Sequence, residues 1–186
     1  RQVILLQLIL QIQHDVYLGD RSRKKIVVVD EAWDLLKEGE VASFMEAAYR
    51  KFRKYNGAVL IATQSVSDLY ENPVGRAIAE NSATMCLLGQ KPEAIESVTK
   101  KGQLELSPAY VNLLKSVHTE AGVFSEIFVK SERGYGIYRL IVDDYSKLLY
   151  STSPDELSAI QRWIDKGYSN TDAIHKVLEE RKARNS

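Results

Sequence analysis

Unbroken apolar runs alternate along this chain with stretches whose apolar residues recur at every third or fourth position. Residues 2–18 are apolar on nearly every side, which predicts a helix buried against a sheet. A polar, basic turn, GDRSRKK, leads to a run at 26–29 that predicts a first strand. From Ala32 to about Tyr55 the spacing is helical, through Leu36, Val41, Phe44, Ala48 and Phe52, with a break near Gly39 and a stop at Asn56 and Gly57. The run AVLIAT predicts a second strand, ending at Gln64 and Ser65. Short helical stretches around 67–70 and 74–80 precede a third strand at 83–88. Pro92 opens a helix to about Lys101, and Ser107 with Pro108 opens another to about Ser116. Strands without alternation, separated by helices, predict an α/β fold with a mainly parallel sheet covered by helices on both faces.

After Gly122 the rhythm changes. Segments 125–130, 135–142 and 147–151 are short and rich in β-branched and aromatic residues, with a SERGYG turn between the first two, so a β meander is expected. In SPDE, Ser153 is placed to cap a helix beginning at Pro154, with Glu156 completing a capping box. A last helix starts near Ser169 or Asn170 and carries Ile174, Val177 and Leu178 on one face. The expected division is a main domain at 1–152 and a helical extension at 153–186.

Composition adds little. With 186 residues, 45% hydrophobic and 27% charged, the chain is long enough for one well-buried core. Lysine plus arginine equals aspartate plus glutamate at 25 each, so nucleic acid is a partner that net charge does not support, and any basic surface is local. The single cysteine, Cys86, has no internal disulfide partner; in ATMCLLG it reads as a small apolar strand residue, and this points to a reducing compartment. His14, His118 and His175 have no ligand spacing. The most apolar run, VILLQLILQI, is interrupted by Gln7 and Gln11 and is well short of the roughly 20 residues of a membrane-spanning helix.

The stretch KKIVVVDEAWDLL carries the chemistry. An apolar strand ending in Asp30 and Glu31 has the form of a Walker B element, in which the aspartate holds Mg²⁺ and the glutamate polarises the attacking water. Ligands of open α/β sheets bind at the carboxyl ends of the strands, where these acids would stand. A cap is the structural alternative, since Asp30 could cap a helix beginning at Glu31 or Ala32. The next strand ends in Gln64, a neutral donor and acceptor at the same sheet edge, of the kind that orients water in phosphoryl transfer. Its alternative is a loop-anchoring amide. Arg50 and Arg53 lie on a basic face, YRKFRK, that could present an arginine to a neighbour's nucleotide or simply be solvated, and Arg76 is a weaker candidate of the same kind. Trp33 reads as a packing residue.

The set KIVVVDEAWDLL, AYRKFRKYNGAVLIATQSVSDL, AIAENSATMCLLGQKPEAIE and IYRLIVDDYSKLLYSTSPDE, in that order, resembles the carboxyl-terminal part of the TraC-like conjugative-transfer ATPases of type IV secretion systems. The resemblance covers about residues 1–165. It implies a partial RecA-like P-loop NTPase core of the HerA/FtsK class, acting on ATP with Mg²⁺, with Asp30 as the metal-binding acid, Glu31 as the catalytic acid and Gln64 as the sensor. It further implies self-association into a hexamer with other type IV secretion components at the cytoplasmic face of the bacterial inner membrane, where ATP hydrolysis drives pilus assembly and substrate transfer. The phosphate-binding loop GxxxxGK[ST] is not in the sequence, because none of the ten glycines is followed by lysine. The expectation is therefore the second half of a motor domain, inactive alone, with a central strand slot left to fill. A catalytically dead docking module and a coupling-protein-type DNA translocase are the other readings.

Overall fold

Two of the unbroken apolar runs lie side by side in the computed structural model, which describes residues 2–32 and 39–185. β1 (Lys25–Val29) and β2 (Gly57–Ile61) are parallel, with Val27 opposite Val59 and Val29 opposite Ile61. On one face, Val27, Val29, Val59 and Ile61 pack against Val16 of α1 (Gln2–Tyr17), against Phe44, Met45 and Ala48 of α2 (Glu40–Lys51), and against Phe52 and Ile78. The expected helical segment at 32–55 is α2 extended by a 3-10 turn, Phe52–Tyr55. Gly39, at φ 99°, precedes it, and Asn56 stops it in the left-handed region at φ 58°. Trp33 and Leu36 lie outside the described residues.

The opposite face of this pair is open. Ile26, Val28 and Leu60 are 71%, 63% and 56% exposed. The apolar strands predict helices on both faces, but among the described residues only one face is covered.

The third strand, β3 (Thr84–Leu87), departs from the expected parallel order. It pairs antiparallel with β5 (Phe124–Ser131), which also takes the two-residue β4 (Thr119–Glu120) and β6 (Gly134–Leu140). Parallel pairing is thus confined to β1 and β2, and no ladder joins the two sheets among the described residues. The reason lies in β3 itself: Met85 and Leu87 are buried while Thr84 and Cys86 are exposed, the one-sided alternation that suits an antiparallel sheet. A hairpin turning at Gly134, with φ 128°, supplies the antiparallel partner. α3 (Pro73–Asn81), α4 (Pro92–Lys100) and α5 (Pro108–Lys115) follow the predicted positions. Ile95, Val98 and Leu114 of α4 and α5 bury against Met85, Leu87 and Phe128.

The chain divides into two compact units, Arg1–His118 with Glu126–Tyr138, and Thr119–Ser125 with Arg139–Ser186. The second holds α6 (Asp144–Leu149), α7 (Pro154–Ile164) and α8 (Asn170–Asn185) around Leu148, Ile160, Ala173, Ile174 and Val177. Two expectations fail here. Segment 147–151 is not the third strand of a meander, because Asp143 accepts hydrogen bonds from the Ser146 N–H at 3.0 Å and its hydroxyl at 2.7 Å and so starts a helix. Nor does the capping box form at the start of α7. Ser153 makes no side-chain cap, and Glu156 instead accepts from Arg181 on α8 at 2.7 Å.

Candidate functional site

The rim where β1 and β2 end is built by a two-residue excursion of the chain. The ladder runs on past β2, because the Ala62 N–H donates to the Val29 carbonyl at 2.9 Å. It then closes again on the same residue, with the Ala32 N–H donating to the Ala62 carbonyl at 3.0 Å. Asp30 and Glu31 lie between those two bonds and so leave the plane of pairing together. Ala32, fully buried, anchors the far side of the excursion. Glu31 turns the corner at φ 50°, a left-handed conformation that side chains other than glycine rarely take. Two adjacent acids at a strand end therefore stand on one rim, both exposed, where regular alternation would send them to opposite faces.

Asp30 Oδ1 accepts the Glu31 N–H at 2.9 Å, which braces the excursion. Neither carboxylate is paired with a described lysine or arginine. A hard divalent cation held by one or two carboxylates and completed by phosphate oxygens and water fits such a donor set. No group of three or more His, Cys, Asp or Glu side chains able to hold an ion occurs among the described residues.

Gln64 stands on the adjacent strand's extension, two residues beyond Ala62, and is exposed. The loop after it is fixed at every step. Thr63 Oγ1 donates to the Ser65 carbonyl at 3.1 Å, Ser65 N–H donates to Asp68 Oδ2 at 3.0 Å, and Ser65 Oγ accepts the Ser67 N–H at 3.3 Å. This capping box opens the 3-10 turn Val66–Tyr70. The Val66 N–H goes to Gln90 Oε1 at 2.9 Å. Gln90 escaped the reading of the sequence; its signal is a polar side chain just past the end of β3, as Gln64 is just past β2.

Two of the candidate arginines, Arg50 and Arg53, precede β2, at the end away from this rim. Arg50 is in the last turn of α2 and pairs with Glu46 at 2.8 Å, and Arg53 is in the 3-10 turn that leads into β2. Both precede β2 and lie at its amino end, a strand length of about 16 Å from the acids. There the loop before β1 joins them: the Arg21 guanidinium is 4.8 Å from the centre of the Tyr55 ring, and Asn56 donates to the Ser22 carbonyl at 3.3 Å. Arg76 is exposed on α3. Separately, a cavity of about 240 Å³ between α7 and α8 is lined by Glu156, Arg162, Glu180 and Arg181; their ion pairs, at 2.7 Å and 3.9 Å, make it the seam of a helical hairpin.

Residues 3–181 match the family described as TraG P-loop domain. Protein TraC of Escherichia coli (strain K12) is 27% identical over 177 residues, which are 92% of this chain and 20% of TraC. The type IV secretion system protein CagE of Helicobacter pylori is 36% identical over 67 residues, 36% of this chain and 7% of that protein. VirB4 of Thermoanaerobacter pseudethanolicus, a solved structure, shares the fold with a TM-score of 0.52 and 23% identity, over 80% of this chain and 36% of that one. The chain thus spans about a fifth of TraC's length.

Proposed function

Because this chain belongs to the TraG P-loop domain family, we propose that it supplies the Walker B and sensor strands of an ATPase motor in a type IV secretion or conjugative-transfer machine. The observation that carries this is the excursion between the two Ala62 hydrogen bonds, which sets Asp30 and Glu31 on the rim beside the strand of Gln64. When bound, magnesium and ATP supply a phosphoryl group activated for transfer to water. Asp30 would hold the cation through its carboxylate. Glu31 would accept a hydrogen bond from the attacking water and take up its proton as the new P–O bond forms and the bridging P–O bond to the departing ADP breaks. The Gln64 amide orients that water or reports the γ-phosphate.

The phosphate-binding loop, in this reading, comes from the part of the longer protein outside these residues, and its strand pairs on the edge of β2 that no described strand occupies. The 186 residues alone then turn over ATP negligibly. Copies associate into a ring in which Arg50 or Arg53, remote from its own chain's rim, reaches a neighbour's nucleotide. The ring works with other secretion components on the cytoplasmic side of the bacterial inner membrane. No helix among the described residues is long and apolar enough to cross a membrane, and attachment is peripheral.

The test is magnesium-dependent ATP turnover by the full-length protein. Glu31→Gln is expected to lower kcat by about 10²–10⁴-fold, the range for loss of a general base, while ATP still binds. Turnover that survives this substitution unchanged would remove Glu31 from the chemistry.

A further inference from the structure

The loop that carries Gln64 is held at its far end by a side chain from the loop that follows β3. The first N–H groups of a helical turn have no acceptor within it and need one from outside. In the turn Val66–Tyr70, Ser65 Oγ takes the Ser67 N–H, and the Asp68 carboxylate takes that of Ser65 itself. The Val66 N–H is left over. Val66 is 2% exposed and packs with Met85 and Leu87 of β3, so water does not serve it freely. Gln90 Oε1, 24 residues further along the chain, accepts this N–H at 2.9 Å.

We propose that Gln90 is a positioning residue: its carbonyl oxygen latches Val66 and so fixes where the Gln64 amide sits on the rim. This rests on Gln64 acting in the ATPase reading above, and Gln90 touches no substrate in it. The geometry is short and stiff, for only Ser65 separates Gln64 from the latched residue. On its other side Gln64 is tied through Thr63 to Ala62, which is bonded to both Val29 and Ala32. The loop is therefore clamped between the parallel pair and β3, two sheets that share no ladder among the described residues. Leu69, in the same turn, packs against both cores as well, so the clamp is one of the connections between them.

The experiment has two arms. In the 186-residue chain, hydrogen exchange at the Val66 amide is compared between the native protein, Gln90→Ala and Gln90→Glu. The latch predicts exchange at least about 10-fold faster in Gln90→Ala, consistent with loss of one buried hydrogen bond, and near-native exchange in Gln90→Glu, which keeps an acceptor oxygen. In the full-length protein, Gln90→Ala is expected to lower kcat by about 10–100-fold, as a loosened catalytic group does, with KM for ATP within about 2-fold of native. Gln90→Glu should recover most of that loss. Gln90→Met, close in shape and without an oxygen, replaces Gln90→Ala if truncation prevents folding. Unchanged exchange at Val66, or a kcat that neither variant alters, overturns the proposal. Loss in Gln90→Glu equal to that in Gln90→Ala also overturns it, because the acceptor would then not matter. If the full-length protein shows no magnesium-dependent ATP turnover, the ATPase reading falls by itself, and the exchange arm alone decides whether Gln90 latches the loop.

Discussion

Glu31 holds a backbone angle that its own side chain disfavours. At φ 50° a residue with a Cβ gives up about 1–2 kcal/mol relative to the right-handed region. The excursion tolerates this because Ala62 fixes both of its ends. Strain at such a position is a mark of a residue kept for what its side chain does. Glu31→Gly and Glu31→Ala both remove the carboxylate, but only glycine relaxes the angle. Glycine's extra unfolded-state freedom takes back roughly 0.5–1 kcal/mol, so Glu31→Gly should exceed Glu31→Ala in stability by up to about 1.5 kcal/mol in urea unfolding of the 186-residue chain. Both should abolish turnover in the full-length protein. A glycine variant less stable than the alanine one would mean that the angle is unstrained. The acids and Gln64 were legible in the sequence because residue type and strand-end position are local facts. The left-handed turn at Glu31 was not, because nothing in DEAW marks a non-glycine residue for φ above zero; hydrogen bonds from a strand more than 30 positions away impose it.

Among the elements, β1, β2 and the helices from α3 to α5 could be read from periodicity and punctuation. Strand direction could not, since the partner of β3 is chosen by a hairpin some forty positions downstream. Segment 147–151 shows how local signals compete. Its apolar residues favour a strand, but Asp143 and Ser146 offer a cap, and one satisfied helix start outweighs a weak β preference. That cap sets a pH dependence. The Ser146 N–H and then its hydroxyl hold the Asp143 carboxyl below the usual aspartate range. A lowered folded-state pKa means that the charged cap stabilises the fold above the ordinary value of about 3.9 and that this contribution is lost as pH falls through the lowered one. On acid titration followed by NMR, the Ser146 and Lys147 amides of α6 should lose their helical shifts across that window. Asp143→Asn keeps an acceptor oxygen without the charge and should flatten that dependence. Equal acid sensitivity in both proteins would assign the melting of α6 to other carboxylates, such as Glu156, held low by Ser151 and then by Arg181.

At the scale of the whole molecule, the unresolved demand is the bare side of the parallel pair. A two-stranded sheet is marginal by itself, and this one exposes Ile26, Val28 and Leu60 on one face with both outer edges unpaired among the described residues. Equal numbers of acidic and basic residues, 25 each, leave no net repulsion between copies near neutral pH. Apolar surface of this kind seeks a cover. Isolated, the chain should sediment as more than its 21.0 kDa monomer at tens of micromolar, and Ile26→Lys with Leu60→Lys should return it to a monomer with unchanged circular dichroism. In the longer protein the opposite sign is expected. If the rest of the domain covers this face there, the same two lysines enter an apolar contact and should cost about 1.5–3 kcal/mol each in lost burial alone. One pair of substitutions thus separates a surface made for solvent from one made for the rest of the domain. Improved behaviour in the isolated chain with lost stability in the full-length protein supports the covered face. Lysines neutral in both would show that the face is an ordinary exposed one and that the parallel pair stands without a cover.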